Sequence, residues 1–321
     1  MNRINFREIA RELNISHTTV YRVINNAQCV SDATRVRVID ALNRHGCYRD
    51  ARVKPQTVLL DFDENAASSY MRDLLNRLAG NPFRWIETSH GTGRTKFLLA
   101  CRDAHIVVFA PMADRDIYDR AKEVNPDLLI LNLLDDAAGD IAIATDDFQG
   151  GQLAARRLYE CGHRTHLAVT VPAPEDGLQH SFSNRAKGFL AEMMFLAPNC
   201  RIERWEVPLR RTRNSLPQKL KHKRRPSAVF ATGLYFAKKT AAACSASGLR
   251  IPEDISLLGF DKPDCTEPPC DSIVFNPEQI VSWAEFFIMN RPVIKNGAPV
   301  HLLLDMKLET HGSVKRLNST P

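Results

Sequence analysis

The sequence predicts an α/β protein, with a small three-helix head at the N-terminus and a body of two doubly wound parallel-sheet subdomains. Three observations support this fold class. From Val58 onward, short apolar runs alternate with amphipathic segments, which is typical of parallel strands flanked by helices. Before Val58, apolar residues recur at helical spacing. The length of 321 residues exceeds one ordinary core. We predict a head over residues 1–50, a short linker over 51–57 and a body over 58–321.

Each of the three head helices has a start signal and a buried stripe. Asn5 can cap the first helix and Ser16 the second, while the third begins near Ser31. The break "LNIS" between the first two is short, so these helices form a helix-turn-helix unit. The predicted buried positions are Phe6, Ile9, Ala10 and Leu13, then Val20, Val23 and Ile24, then Val36, Ile39 and Leu42.

The alternation in the body predicts seven strands and five helices. The strands are "TVLLDF", "HIVVFAP", "DLLILNL", "IAIATD", "HLAVTV", "SAVFATG" and "ISLLGFD". The helices are "SSYMRDLLNRLAG", "DIYDRAKEV", "QGGQLAARRLYECG", "NRAKGFLAEMMF" and "AKKTAAACSASG". This number of units predicts two subdomains, with a ligand cleft between them.

The net charge of +6 is distributed unevenly along the chain. Residues 1–56 hold ten Lys/Arg against five Asp/Glu, a local charge of +5. Residues 201–225 hold ten against two, a local charge of +8, which leaves −7 for the rest of the chain. A basic head on a mildly acidic body indicates a polyanion partner for the head. Two interpretations of 201–225 stay open: a solvated helix face, or a second surface for a polyanion or an acidic protein.

Several classes of protein find no support in the sequence. No apolar run approaches the length of a membrane span, and the N-terminus is not a secretory signal. We therefore expect a cytoplasmic protein with reduced thiols and no membrane contact. No P-loop, nucleophile elbow or metal-ligand spacing occurs, so we expect neither an enzyme nor a metal or cofactor. "GTGRTK" at 91–96 predicts a surface turn rather than a phosphate loop, and "CTEPPC" a plain loop rather than a metal site or disulfide.

The exposed side of the second helix carries the residue types that contact DNA. We expect its N-terminal end to enter a major groove, with His17, Thr18 and Arg22 facing base edges, because Arg binds guanine bidentately. The alternative is a protein-binding helical bundle with solvated polar faces. Hydroxyl, amide and helix-end N–H groups can hold phosphates, and the expected phosphate contacts are Asn5, Ser16, Thr19, Tyr21, Asn25, Ser31 and Thr34.

The head resembles a known family over some forty ungapped positions. "IARELNISHTTVYRVINNAQCVSDATRVRVIDALNRHGCY" is similar to the heads of LacI/GalR-type transcriptional regulators. The resemblance implies a sequence-specific DNA-binding regulator, expected to be a repressor, that binds a pseudo-palindromic operator as a homodimer. Tyr21 departs from the family, which usually has Ser at this position.

The resemblance extends more thinly through the body, in "TDDFQGGQLAARRLYECGHRTHLAV", "SNRAKGF" and "GLRIPEDISLLGFDKPD". It implies a periplasmic-binding-protein-like pair of Rossmann-like halves that binds a small polar effector such as a sugar. The residues that match effector positions, or lie near them, are Asn65, Ser69, Tyr70, Asp146, Phe148, Arg185 and Asp261. For Arg185 and Asp261, structural ion pairing is the open alternative. Thr232-Gly233 replaces the family's usual Asn-Asp, so a body without small-molecule sensing, a scaffold for dimerisation or protein docking, is the second interpretation of function.

The joint between head and body also departs from the family. The family has a segment there that folds into a hinge helix on DNA, with a Leu that wedges into the minor groove. Here the chain reads "GCYRDARVKPQTVLLDF", without that Leu, and Pro55 would stop a helix. We expect a shortened linker with little or no hinge helix; the alternative is that Val53 acts as a small wedge.

Overall fold

Two compact units make up the chain. Unit 1 comprises Met1–Ala144 and Pro277–Leu302, and unit 2 comprises Thr145–Asn276 and Leu303–Pro321. The structure is a computed structural model. It describes residues 6–24, 30–45, 56–61, 76–78, 84–88, 90–110, 115–134, 139–170, 180–207, 216–221, 224–261, 270–291 and 299–317.

Ten helices and twelve strands are assigned within the described residues. The helices are α1 Phe6–Glu12, α2 His17–Ile24, α3 Asp32–Arg44, α4 His90–Cys101, α5 Arg115–Val124, α6 Asp147–Glu160, α7 His180–Leu196, α8 Leu216–Leu220, α9 Leu234–Ala246 and α10 Pro277–Met289. The strands are β1 Thr57–Asp61, β2 Arg84–Thr88, β3 Ile106–Phe109, β4 Leu129–Leu133, β5 Ile141–Thr145, β6 Thr165–Thr170, β7 Arg201–Glu206, β8 Ala228–Ala231, β9 Ser256–Phe260, β10 Asp271–Val274, β11 Val300–Leu304 and β12 Lys307–Glu309.

The head is the predicted three-helix unit. Apolar residues of α1, α2 and α3 form one core, in which Val20 and Leu42 are fully buried. On α3 this core contains Val38 and not the predicted Val36, which is only partly buried. The turn between α1 and α2 passes through Asn14 at φ 53°, a left-handed conformation that Asn tolerates better than most residues. On α3, Arg37 donates from a terminal guanidinium nitrogen to the carbonyl of Leu13 at 2.8 Å. The third helix therefore fixes the turn that sets the angle of the second.

The body contains two six-stranded sheets, as the alternation of apolar and amphipathic segments predicted. The first has the order β11-β5-β4-β3-β1-β2, and the second has the order β12-β10-β9-β8-β6-β7. Strands β1 to β5 pair in parallel, as do β6 to β10. In the described part of the chain, β12 pairs with β10 in the antiparallel direction. In unit 2, apolar clusters cover both faces of the second sheet.

The structure confirms all seven predicted strands, as β1, β3, β4, β5, β6, β8 and β9. Four of the five predicted helices are also confirmed, as α5, α6, α7 and α9. Of the other one, "SSYMRDLLNRLAG", only residues 76–78 lie within the described part, and they are helical.

Two local predictions are wrong. "GTGRTK" is not a surface turn, because residues 91–96 lie within α4, which bends at Gly93 (φ −153°, ψ 52°). The start of the basic segment is not a helix face, because Arg201–Glu206 forms β7, paired with β6 at a sheet edge. Edge strands are exposed on one side and so carry charges that imitate a solvated helix. "CTEPPC" lies largely outside the described residues, as does the joint with Val53 and Pro55.

Candidate DNA-binding and effector sites

The helix α2 buries one face and exposes the other. Its apolar residues pack into the head core, whereas His17, Thr18 and Arg22 are exposed. Tyr21 lies on the same side, 57% exposed. Tyr21 follows Thr18 by three residues and His17 by four, and Arg22 follows Thr18 by four, so the four side chains share one face of the helix. The three predicted base contacts therefore stand together, at the surface and not in the head core.

Serine hydroxyls cap α2 and α3. Ser16 Oγ accepts the N–H of Thr19 at 3.0 Å, and the two hydroxyls are 2.8 Å apart. Ser31 and Thr34 repeat this arrangement, with distances of 3.4 Å and 2.9 Å. Both helix N-termini thus combine hydroxyls with N–H groups, which suits phosphate binding. The predicted phosphate contacts Asn5 and Asn25 lie outside the described residues.

Two basic side chains near the end of α3 stabilise the head itself, which sequence patterning did not predict. Arg44 forms an ion pair with Glu12 of α1 at 2.7 Å, and His45 contacts the same carboxylate at 2.7 Å. The hydrogen bond from His45 and the charge of Arg44 lower the pKa of Glu12. Because these partners are far apart in sequence, no local motif marks them. Part of the positive charge of the head therefore joins its helices.

A buried ion cluster lies at the ends of strands in unit 2. Arg185 Nε donates to Asp147 Oδ1 at 2.8 Å, and a terminal nitrogen of Arg185 donates to the carbonyl of Thr232 at 2.9 Å. The same nitrogen lies 3.6 Å from Asp261 Oδ1. The guanidinium carbon is 3.8 Å from the centre of the Phe260 ring. Arg185, Asp147 and Asp261 are each 8% exposed, so the cluster is almost closed to water. We call these three residues the ion cluster.

The backbone holds Asp261 in place at the end of β9. Its φ of 73° is left-handed, and its Oδ2 accepts the N–H of Leu234, the first residue of α9, at 3.3 Å. Burial raises the pKa of Asp261, and the charge of Arg185 opposes that rise. Two predicted effector residues, Arg185 and Asp261, are thus brought together, and the protein itself supplies partners to both.

The two aspartates of "TDDF" have different roles, which the sequence alone did not distinguish. Asp146, the predicted effector residue, accepts the N–H of Gln149 at 2.9 Å and so caps α6. The next residue, Asp147, is the one that contacts Arg185. Phe148, predicted as a stacking surface, is 42% exposed. Sequence analysis did not predict Asp147 as a site residue. The signal that could have indicated it is a second carboxylate, next to Asp146, after a buried strand. Asn65, Ser69 and Tyr70 lie outside the described residues.

Two glycines allow α6 and α7 to cross closely enough to form the ion cluster. A Cβ on Gly188 would lie 2.0 Å from the carbonyl oxygen of Phe148, and one on Gly151 would lie 2.1 Å from that of Arg185. Real Cβ atoms do not approach backbone this closely. The close crossing brings Asp147 at the start of α6 to Arg185 on α7. The glycines of "QGGQ" and "AKGF" are therefore part of the site's construction.

The substitution Thr232-Gly233 also has a structural role. Thr232 is fully buried, and its hydroxyl donates to the carbonyl of Val169 at 3.0 Å. A Cβ on Gly233 would lie 2.5 Å from the Phe182 ring. This pair therefore supports β8 and the packing of Phe182, while the Thr232 carbonyl holds Arg185.

Within the described residues, no helix is both long and apolar enough to cross a membrane. In the same part of the chain, no group of three or more His, Cys, Asp and Glu is placed to bind a metal ion.

A helix-turn-helix head followed by two doubly wound parallel sheets defines a class of DNA-binding regulators, and comparison with known proteins agrees. Residues 5–50 match the family described as bacterial regulatory proteins, lacI family, and residues 155–290 match the periplasmic binding protein-like domain. Residues 5–50 are thus a LacI-family head, and together with the body they identify the chain as a LacI-type transcriptional regulator.

Individual relatives are distant in sequence. The HTH-type transcriptional repressor PurR of Escherichia coli O139:H28 is 24% identical over 275 residues, which cover 79% of this chain and 80% of the relative. The solved complex of the transcriptional regulator CelR with cellobiose has a TM-score of 0.65 at 21% identity, covering 97% of this chain and 100% of that one. The Lac repressor dimer bound to operator and the anti-inducer ONPF has a TM-score of 0.65 at 17% identity, covering 98% and 100%. The two structural likenesses establish the fold.

Proposed function

We propose that this LacI-family protein is a cytoplasmic, homodimeric repressor that binds a pseudo-palindromic operator and responds to a small polar effector such as a sugar. The observation that carries the DNA-binding part is the exposed face of α2, with His17, Thr18 and Arg22 at the surface of a serine-capped helix. A twofold protein binds twofold DNA, so two heads would contact two half-sites. The proposal assigns no catalytic residue.

The effector part of the proposal centres on Arg185 and Asp261. An Arg binds hydroxyl, carboxylate or phosphate oxygens, and an Asp accepts from hydroxyls or amines. An effector hydroxyl at the ion cluster would replace the weakest contact there, which is the 3.6 Å approach of Arg185 to Asp261. Solved structures of relatives in complex with cellobiose and with ONPF support a small polar ligand. The other predicted effector residues, Asn65, Ser69, Tyr70, Asp146 and Phe148, stay part of the proposal.

The ion cluster also favours a second candidate function. The protein's own carboxylates and a main-chain carbonyl already engage Arg185. If that arrangement is purely structural, the body is a dimerisation or protein-docking scaffold without small-molecule sensing. The two candidates share DNA binding and differ only in the response to metabolites.

One selection experiment tests both parts. Sites bound by the full-length protein would be selected from random duplex DNA, first alone and then with a pool of sugars and related metabolites. We expect a palindromic motif whose enrichment changes with the pool, because an effector acts through its different affinities for two states. A motif indifferent to every pool would favour the scaffold function. The absence of any motif would contradict operator binding altogether.

Asp261→Asn provides the site-specific control for this selection. The amide keeps the size and the left-handed conformation of residue 261, but it removes a charge from the ion cluster. We expect the variant to select the same motif and to lose the response to the pool. An unchanged response would remove Asp261 from the effector site.

The proposed domain boundaries are tested by deletion. Removing residues 1–56 should leave a folded body that dimerises and has lost DNA binding. A body that unfolds would contradict the boundary between head and body.

A further inference from the structure

Arginines line one edge of the second sheet. Strands β8, β6 and β7 are neighbours and pair in parallel, so all three begin at the same end of the sheet. Arg164 directly precedes β6, Arg201 is the first residue of β7, and Arg224 and Arg225 lie shortly before β8. All four are exposed. We call these four residues the basic edge.

The fold brings both ends of the basic segment 201–225 together at this edge. The backbone N–H of Arg201 donates to the carbonyl of Arg164 at 2.9 Å, and its guanidinium donates to that of Arg224 at 3.5 Å. The Arg164 guanidinium donates to two main-chain carbonyls, of Tyr159 and His163, at 3.0 and 2.8 Å. Carbonyl groups position these guanidinium groups without neutralising their charge. Glu203 lines a small cavity beside Arg201 and Arg224 and offsets one of the four positive charges. The basic edge therefore keeps a net positive charge.

An open recess of about 320 Å³ adjoins the basic edge. Arg164 belongs to both, because its guanidinium carbon lies 3.9 Å from the centre of the Tyr159 ring in the recess wall. The two residues before the recess on α7, Met194 and Phe195, are 69% and 82% exposed. We call this the apolar recess, and it is lined by Tyr159, Arg164, Leu196, Ala197, Pro198, Asn199 and Cys200.

We propose that the basic edge and the apolar recess together dock an acidic segment of a partner protein. A bulky apolar side chain of that segment would enter the recess beside Leu196 and Pro198, and its carboxylates would lie along the four arginines. Arginine pairs bidentately with carboxylates, and an apolar anchor within a polar rim is the usual arrangement of a protein-binding site. Together the two surfaces specify a partner by charge and by shape.

Two other occupants fit the surface less well. A second copy docked through a twofold axis would bring its own basic edge against this one, and like charges across an interface are strongly unfavourable. Duplex DNA would satisfy the arginines through its phosphates but offers no aliphatic side chain for the recess. Charges on an edge strand also oppose aggregation, yet this role does not account for the exposed Phe195 or for the recess.

The test is a selection of peptides from a random displayed library on the immobilised full-length protein. We expect enriched peptides to be acidic and to share at least one bulky apolar residue. Binding of synthetic copies should fall about tenfold on Arg201→Glu/Arg225→Glu, because four units of charge change. It should fall about tenfold on Phe195→Ser, which removes the exposed apolar side chain directly before Leu196 of the recess wall.

Matched controls lie elsewhere on the molecule. Lys238→Glu changes an exposed charge on α9, and Leu99→Ser changes a 60% exposed apolar side chain on α4; both should bind the peptides normally. Because the tested side chains are exposed, all variants should melt at the parental temperature.

Each alternative result overturns the proposal. Neutral or basic peptides, or peptides insensitive to both surface variants, would show that the surface has no preference for an acidic segment. A shift of the surface variants from dimer to monomer in sedimentation would assign the surface to a second copy. The surface variants could keep the parental peptide preference but bind non-operator duplex DNA more weakly, in a salt-dependent way. That result would assign the basic edge to DNA.

Discussion

The exposed face of α2 and the ion cluster of unit 2 are both groups of polar residues, but the first is exposed to solvent and the second is buried. His17, Thr18 and Arg22 face solvent at the surface of a helix whose other side is core. Arg185, by contrast, is 8% exposed and held by carboxylate and carbonyl oxygens of the protein. Exposure leaves the first group available to a partner. Burial makes the second group necessary to the fold, with or without a bound ligand.

The comparison predicts that the ion cluster carries far more stability than the exposed face. Arg185→Met leaves two carboxylates buried without their cation, and breaking such a pair costs about 3–5 kcal/mol. Denaturant unfolding of the full-length protein would measure this loss. Arg185→Met/Asp147→Asn/Asp261→Asn should recover most of it, since no charge is then left buried. A loss below about 1 kcal/mol would mean that water reaches the cluster.

A second buried polar group in unit 2 predicts a pH dependence. His166 on β6 is 2% exposed and packs edge-on against Phe189, and burial lowers its pKa from 6.5 to about 4. The unfolded chain binds a proton at higher pH than the folded chain. Stability is therefore complete above pH 6.5, falls as the pH drops below that value, and is lower by about 3 kcal/mol once the pH is below 4.

The variant His166→Phe isolates this effect from that of the carboxylates. Urea unfolding at about pH 7.5 and about pH 5 should differ by about 2 kcal/mol more in the parent than in the variant. Equal differences in the two proteins would show that His166 does not carry the effect.

Substitution on the exposed face should change recognition and leave stability unchanged. Arg22→Ala is expected to weaken operator binding by about 1–3 kcal/mol and to relax the preference at one base position. Arg11→Ala, an exposed arginine on α1, is the matched control for loss of positive charge. Binding to a panel of single-base operator variants would distinguish the two. Equal weakening on every sequence by Arg22→Ala would indicate a phosphate contact instead.

The smallest expected effect belongs to the cap beneath that face. Ser16→Ala removes the acceptor for the N–H of Thr19, and loss of such a cap costs about 1 kcal/mol. Thermal unfolding of the head would show it. Ser16→Asn should restore the stability, because Asn caps as well as Ser. If Asn does no better than Ala, the hydroxyl pair with Thr19 is the feature that stabilises the helix start.

Whether a strand was predicted from the sequence depended on its position in the sheet. All seven predicted strands lie inside their sheets, where both faces are buried and the apolar run is continuous. Four of the five unpredicted strands are edges, and the fifth, β10, is next to one. Edge strands such as Arg201–Glu206 carry charges on their open side, so their composition resembles a solvated segment. Periodicity detects burial, and it failed where burial was partial.

Candidate residues followed a similar rule. The exposed face of α2 could be deduced because a helix sorts polar and apolar residues locally, and the structure places the three predicted base contacts together. In "TDDF" the sequence could not tell which aspartate caps α6 and which contacts Arg185, since both follow the same strand. That assignment depends on how closely α6 crosses α7, which Gly151 and Gly188 control.

By itself, the sequence determined the three-helix head, its exposed polar face, the alternation that builds two parallel sheets, and the resemblance to LacI-family regulators. These depend on local spacing of apolar residues and on contiguous motifs. Only the tertiary structure decided that Arg37 fixes the turn at Leu13, that Arg185 joins Asp147 and Asp261, and that arginines at or before the starts of three strands form the basic edge. The physical reason is that these contacts join residues distant along the chain, and their geometry is set by helix crossing and strand order.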